Sequence, residues 1–146
     1  MLKGIIFDFD GVVAESVQVK TDAFAYLYAS HGKKIVSKVT EHHELNGGMS
    51  RFEKIKYYHK AYLGISLADD ELKELADKFS KLVTKKVIES PYVPGAFEFI
   101  KQNYKKYKLF VSTGTPENEI IHILESKNIN KYFNAIYGSP RSKTEH

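Results

Sequence analysis

The chain contains no cysteine, so it has neither disulfides nor thiol chemistry. No apolar run approaches the roughly 20 residues needed to span a membrane. The apolar stretch near the N-terminus is broken by Asp8 and has no cleavage-site pattern after it, so it is not expected to act as a leader peptide. No basic run is interleaved with aromatics, so nucleic acid is not an expected partner. Charge of one sign is also scarce: 22 basic against 18 acidic residues leave +4, an ordinary lysine-rich surface with at most a mild pull on an anionic ligand. His42, His43 and His59 have no third partner at ligand spacing, so they are expected to be packed or solvated and not to bind metal. With neither a leader nor a span, the cytoplasm is the expected compartment.

What is present suffices for one packed domain: 146 residues, 42% hydrophobic and 13% aromatic. The stretch Gly4-Ile5-Ile6-Phe7-Asp8-Phe9-Asp10-Gly11-Val12-Val13 organises the reading. Ile5 to Phe7 reads as a buried strand. It runs into two carboxylates one residue apart, which alternation along a strand directs into one space. Gly11 allows a sharp turn. Two like charges so close are expected to push one pKa up, giving a nucleophile beside an acid/base partner. An Asp-Gly turn with solvated acids is the plainer alternative.

After Ser16 an apolar stripe of helical period runs through Val17, Phe24, Leu27 and Tyr28 and stops at Gly32. Helical character resumes at Ser50, with Glu53 three residues on in a capping-box pattern, and ends at Gly64. Residues 67–89 read as one or two more helices, with Asp69 or Asp70 as cap. The region 16–90 thus reads as a helical bundle. Pro91-Tyr92-Val93-Pro94-Gly95 resets the direction. A helix over 96–107, a strand over 108–111 ending in Ser112-Thr113-Gly114, a helix capped by Thr115 with Pro116 first, and a strand over 135–137 follow. This alternation implies a parallel sheet covered by helices, with ligands at the carboxyl ends of its strands. Asp8, Ser112 and the 138–143 loop all lie just past strand ends. Ser112-Thr113-Gly114 offers a hydroxyl and main-chain N–H groups at a helix start, which suits either phosphate or a plain cap.

These motifs together resemble the haloacid dehalogenase-like hydrolases. Asp8-Phe9-Asp10-Gly11-Val12 matches the first family motif and Ser112 the second. Lys143, in Ser139-Pro140-Arg141-Ser142-Lys143, matches the third, with Arg141 competing for that role. The resemblance implies an α/β fold: a Rossmann-like parallel sheet core, incomplete at the C-terminus, from residues 1–15 and 91–146, with an inserted helical-bundle cap over 16–90. It implies catalysis by Asp8 and Asp10, Mg²⁺ on the Asp8 carboxylate and the Asp10 carbonyl, and phosphate on Ser112, Thr113, Gly114 and Lys143. Asn46 to Arg51 resembles the cap specificity loop, so Gly48, Ser50 and Arg51 are the expected substrate contacts; a flexible Gly-Gly connector and a surface arginine are the alternative. The expected activity is Mg²⁺-dependent hydrolysis of a small phosphorylated metabolite through an aspartyl phosphate. A sugar-phosphate mutase and a non-catalytic phosphate binder are the alternatives. The fourth motif, an acidic loop, has no counterpart, so the chain is expected to be a fragment with little activity and an open sheet edge.

Overall fold

The computed structural model describes every residue except Ser142, and Lys143 by its main chain alone. Three strands form a parallel sheet. β1 (Gly4–Phe7) pairs with β2 (Lys108–Pro116), and β2 with β3 (Ala135–Ser139), with Ile5 beside Leu109 and Phe110 beside Ala135. Parallel neighbours need crossovers, and helices supply them. Between β1 and β2 lie α1 (Val17–Leu27), α2 (Lys33–Leu45), α3 (Arg51–Leu63), α4 (Asp69–Glu89) and α5 (Ala96–Asn103); α6 (Glu117–Ser126) joins β2 to β3. The result is an α/β, Rossmann-like sheet with a helical insertion after its first strand. None of these helices is long and apolar enough to cross a membrane.

The inserted helices converge on Phe24 of α1. Its ring lies 4.3 Å from Phe79 of α4, 5.7 Å from Tyr58 of α3 and 4.8 Å from His43 of α2. One ring therefore ties all four helices together, and its truncation to alanine is worth about 3–5 kcal/mol. Where the sheet meets its helices, Leu109 and Val111 of β2, Ile100 of α5, and Ile120 and Leu124 of α6 are fully buried. The two connections between sheet and insertion run side by side: Glu15 N–H donates to Pro91 O at 2.9 Å and Val93 N–H to Val13 O at 3.0 Å.

Several local expectations need correction. Residues 33–45 form α2, although Ile35, Val36, Val39 and Thr40 are β-branched and weaken a helix locally. Val39 and His43, one turn apart, are buried, so packing overrides propensity. Helix α1 ends at Leu27, and a 3₁₀ turn over Ala29–His31 leads to Gly32, whose φ is +95°. Helix α4 is one element. It begins after Ala68, whose N–H donates to Glu71 Oε1 at 3.1 Å, so Asp69 and Asp70 are not its caps. Helix α5 stops at Asn103, and Tyr104 beyond it packs on Tyr132 at 4.8 Å. Strand β2 runs on through Pro116, so Thr115 is a strand residue and not a cap. Ser50 does cap α3, its Oγ accepting from Glu53 N–H at 3.2 Å, and Gly64 ends it with φ +68°.

Among the described residues, strand β1 has a sheet partner on one side only. Ile6, expected to be buried, is 69% exposed, because nothing among the described residues covers it. The open apolar edge implied by the sequence is therefore present.

Candidate active site

Asp8 and Asp10 follow the end of β1 and line one cavity. The chain turns there because Phe9, fully buried, anchors it: the Phe9 carbonyl accepts from the N–H groups of Val12, Val13 and Ala14 at 2.8–3.3 Å. Gly11 takes φ +76°, and a Cβ there would lie 2.8 Å from Val17. Asp8 Oδ1 accepts from Phe9 N–H at 2.8 Å. The Asp10 carboxylate is held on both oxygens: Oδ1 by Ser16 Oγ at 2.6 Å and Oδ2 by Lys20 Nζ at 2.6 Å. Burial by itself would raise this carboxyl, but the Lys20 charge and hydrogen bond, with Ser16 and Arg51, hold it below the ordinary carboxylate range. The expected upward push does not govern Asp10: burial is what raises it, and a lysine that periodicity had not singled out outweighs that.

At the end of β2, the Ser112 hydroxyl lies 2.7 Å from His146 Nδ1. His146 Nε2 faces the carbonyls of Gly138 and Arg141 at 3.2 and 3.0 Å, so Nε2 donates to them and Nδ1 is the atom that shares a hydrogen bond with Ser112. Thr113 Oγ1 accepts from Thr115 N–H at 3.2 Å. Thr115 Oγ1 accepts from Lys20 Nζ at 2.6 Å, so Lys20 bridges β2 and Asp10. Gly114 allows close approach of the 46–50 loop: a Cβ there would lie 3.2 Å from Met49 O and 3.3 Å from Gly48 O. The side chain of Lys143 lies outside the described residues. Arg141 is exposed and pairs with Glu117 at 3.4 Å.

Arg51 is 5% exposed, which excludes the surface alternative. Its guanidinium takes Glu119 of α6 with two prongs, 3.0 Å to Oε1 and 2.6 Å to Oε2, donates to Ser80 Oγ at 2.7 Å and stacks 4.7 Å over Phe79. Arg51, Gly114, Thr115, Lys20, His43 and Lys54 join the two aspartates around a cavity of about 170 Å³. Gly48 and Ser50 border a smaller one of about 40 Å³ with Thr113, Gly114 and Ser139. The Ser139 hydroxyl is buried there without a hydrogen-bond partner among the described residues. The expected site residues thus fall into two adjoining cavities that share Gly114; Ser112 borders neither.

Mg²⁺ needs hard oxygen donors and keeps several waters. The Asp8 carboxylate is such a donor at the strand end. Among the described residues the Asp10 carbonyl accepts no hydrogen bond, whereas both its carboxylate oxygens are engaged. This pair fits a hydrated Mg²⁺. No group of three or more ligating side chains occurs among the described residues.

Lys20 and Lys54 escaped the sequence reading, and His43 was expected only to be packed or solvated, yet each left a signal. Lys20 falls between Val17 and Phe24 on the apolar stripe of α1, Lys54 between Arg51 and Tyr58 on α3, and His43 one turn after Val39 on α2. A charged or polar residue at a core position of an amphipathic helix marks a buried polar site.

The family model for haloacid dehalogenase-like hydrolases matches residues 5–145. A phosphorylated carbohydrates phosphatase from Thermotoga maritima is 28% identical over 143 residues, covering 92% of this chain. The chain spans 60% of that protein's length. A β-phosphoglucomutase from Clostridium difficile superposes with a TM-score of 0.77 at 21% identity, over 98% of this chain and 64% of its own. A magnesium-bound HAD-hydrolase from Bacillus subtilis superposes with a TM-score of 0.65 at 15% identity, over 94% and 65%. At these identities the two structures speak to the fold alone. The match across nearly the whole sequence, together with the paired aspartates at the end of β1, shows that the chain belongs to the haloacid dehalogenase-like hydrolase family.

Proposed function

We propose that the intact protein carrying this chain is a phosphatase of a small phosphorylated metabolite. The observation that carries the reading is the cavity at the end of β1, where Asp8 and Asp10 face a wall bearing Lys20, Arg51 and Lys54. Cations there draw an anionic ester toward a carboxylate nucleophile. The phosphatase from Thermotoga maritima supports the same class.

In this reading an Asp8 oxygen attacks phosphorus. The bond to the leaving oxygen breaks as Asp10 delivers a proton to that oxygen, leaving an aspartyl phosphate. Asp10, now ionised, takes a proton from water, which attacks phosphorus and releases inorganic phosphate, restoring Asp8. The conformation described above holds Asp10 in its ionised form, as the second half requires. The first half requires Asp10 to gain a proton and loosen from Lys20. The Asp8 carboxylate and the Asp10 carbonyl would hold Mg²⁺, which when bound offsets repulsion between nucleophile and phosphate. Ser112, Thr113, Gly114 and Lys143 are assigned to the transferred phosphoryl group. Residues 16–90 are assigned as a cap over a core of 1–15 and 91–146. Its residues Gly48, Ser50 and Arg51 border the leaving group, and closure excludes water.

Asp8→Asn keeps the shape and removes the attacking charge. Turnover of an aryl phosphate by the intact protein is expected to fall by several orders of magnitude, with an unchanged circular dichroism spectrum. Near-normal turnover in that variant, with contaminating phosphatase excluded, would overturn the mechanism.

A further inference from the structure

The net charge of +4 conceals a division. Residues 1–7, 99–110 and 126–135 hold seven of the chain's 22 basic residues and none of its 18 acidic ones, so the rest of the chain is net acidic. The fold brings these three segments together at the amino ends of the strands. Lys108 N–H donates to Lys3 O at 3.0 Å, Asn134 N–H donates to Leu109 O at 2.7 Å, and the Tyr104 ring lies 4.8 Å from that of Tyr132. Lys127 is turned aside, its ammonium donating to Ser90 O at 2.6 Å. The other six, Lys3, Lys101, Lys105, Lys106, Lys108 and Lys131, are exposed, and none forms an ion pair among the described residues.

Like charges crowded on one face repel each other, and an acid among them would relieve that; a merely solvated surface intersperses both signs. Three of the ammonium groups sit over rings at this end: Lys105 5.8 Å from Tyr104, Lys106 5.2 Å from Tyr107 and Lys131 5.4 Å from Tyr132. These cation–π contacts hold the charges against the face while the side chains stay exposed. Met1 and Leu2, just before Lys3, are exposed and add an apolar tip at the same end. The chemistry points away from nucleic acid. The six cations include no guanidinium fork, and half-buried rings beneath lysines offer no free faces on which bases could stack.

We propose that the amino end of the sheet is a docking surface for an anionic phospholipid bilayer, with the lysines on the headgroups and Met1 and Leu2 at the headgroup boundary. A cluster of this many lysines on one face is what recognises acidic lipid. Parallel strands put Asp8 at the opposite end, roughly 15 Å from Lys3 at about 3.3 Å per residue. Docking there leaves the cavity of the paired aspartates open to solvent, so the inference goes beyond the phosphatase reading and does not depend on it. Near an anionic bilayer each lysine is worth about fivefold in affinity, and salt screens that attraction. The association is therefore reversible and sensitive to ionic strength.

The test sediments the intact protein with vesicles of phosphatidylcholine alone and of phosphatidylcholine mixed equally with phosphatidylserine, at low and at high ionic strength. Binding is expected to the mixed vesicles only, and to be lost at high ionic strength. The triple variant Lys105→Gln, Lys106→Gln, Lys108→Gln is expected to bind the mixed vesicles about a hundredfold more weakly, with an unchanged circular dichroism spectrum. Lys78→Gln, Lys81→Gln, Lys85→Gln removes the same charge from the exposed side of α4 and is expected to keep most of the affinity. No sedimentation with the mixed vesicles, equal sedimentation with both kinds, or equal losses in the two triple variants overturns the inference. So does tighter binding of duplex DNA than of the mixed vesicles at the same ionic strength, which would assign the face to nucleic acid.

Discussion

His43 shows how one buried side chain couples this site to pH. Burial, Lys54 and Lys20 depress its imidazole to about 3, while Asp10 pulls weakly the other way and His42 adds to the depression. In the unfolded chain the same group titrates near 6.5. Between those values the unfolded state binds a proton that the folded state refuses, so stability falls as pH drops from about 6.5 toward 3. His43→Gln keeps an acceptor for Lys54 and cannot titrate. The melting temperature of the unaltered protein is expected to fall more steeply between pH 6.5 and 4.5 than that of His43→Gln, by differential scanning fluorimetry. Parallel slopes would remove His43 from the acid response. Lys54 acts at the other end. Burial, with Lys20 and Arg51 nearby, lowers it to about 8, with Asp10 opposing. The charge it carries in the fold is therefore a destabilising one below pH 8, relieved as pH rises from there toward 10.5. None of this was legible as chemistry in the sequence. Lys54 and His43 are eleven residues apart on different helices, and only their packing beneath Phe24 makes them neighbours.

At the scale of elements, the junction between the inserted helices and the sheet is decided by α3 and α6. Arg51 and Glu119 join them with side chains 4% and 9% exposed. Breaking such a pair from one side leaves a buried charge alone and costs about 3–5 kcal/mol, whereas replacing both partners by apolar residues is often neutral. Urea unfolding of Glu119→Gln is therefore expected to show a loss of that order, and the double variant Arg51→Met, Glu119→Leu a loss of less than about 1 kcal/mol. Equal losses would mean that the pair stabilises the fold as a pair. The position of Arg51 just after the cap at Ser50 was readable; its partner was not, because Glu119 lies 68 residues away. Helix α2 teaches the complementary lesson. Its β-branched residues conceal it from local propensity, and burial of Val39 and His43 against α1 is what forms it.

At the scale of the whole molecule, β1 is an edge strand of the sheet, paired with β2 alone among the described residues. Ile6 is 69% exposed on a strand with one partner, a template for pairing with another chain. The 146-residue chain by itself is expected to associate in a concentration-dependent way by sedimentation velocity, and Ile6→Lys to suppress it. Association unchanged by Ile6→Lys would place the contact elsewhere. The chain spans 60% of the Thermotoga maritima phosphatase, so a version extended to that length is the one in which turnover is measured.

What the sequence determined alone is whatever depends on neighbours along the chain. The apolar run that ends in Asp8 and Asp10, the Gly11 turn, the Ser50 cap, the Gly64 stop and the alternation of strands with helices all follow from local periodicity and backbone preference. Only the tertiary structure decided what those residues meet. It placed Lys20 against Asp10, Glu119 against Arg51 and His43 against Lys54, pairs brought together by burial across helices. A buried charge takes its energy from the few groups within about 4–6 Å, and sequence distance does not report that separation.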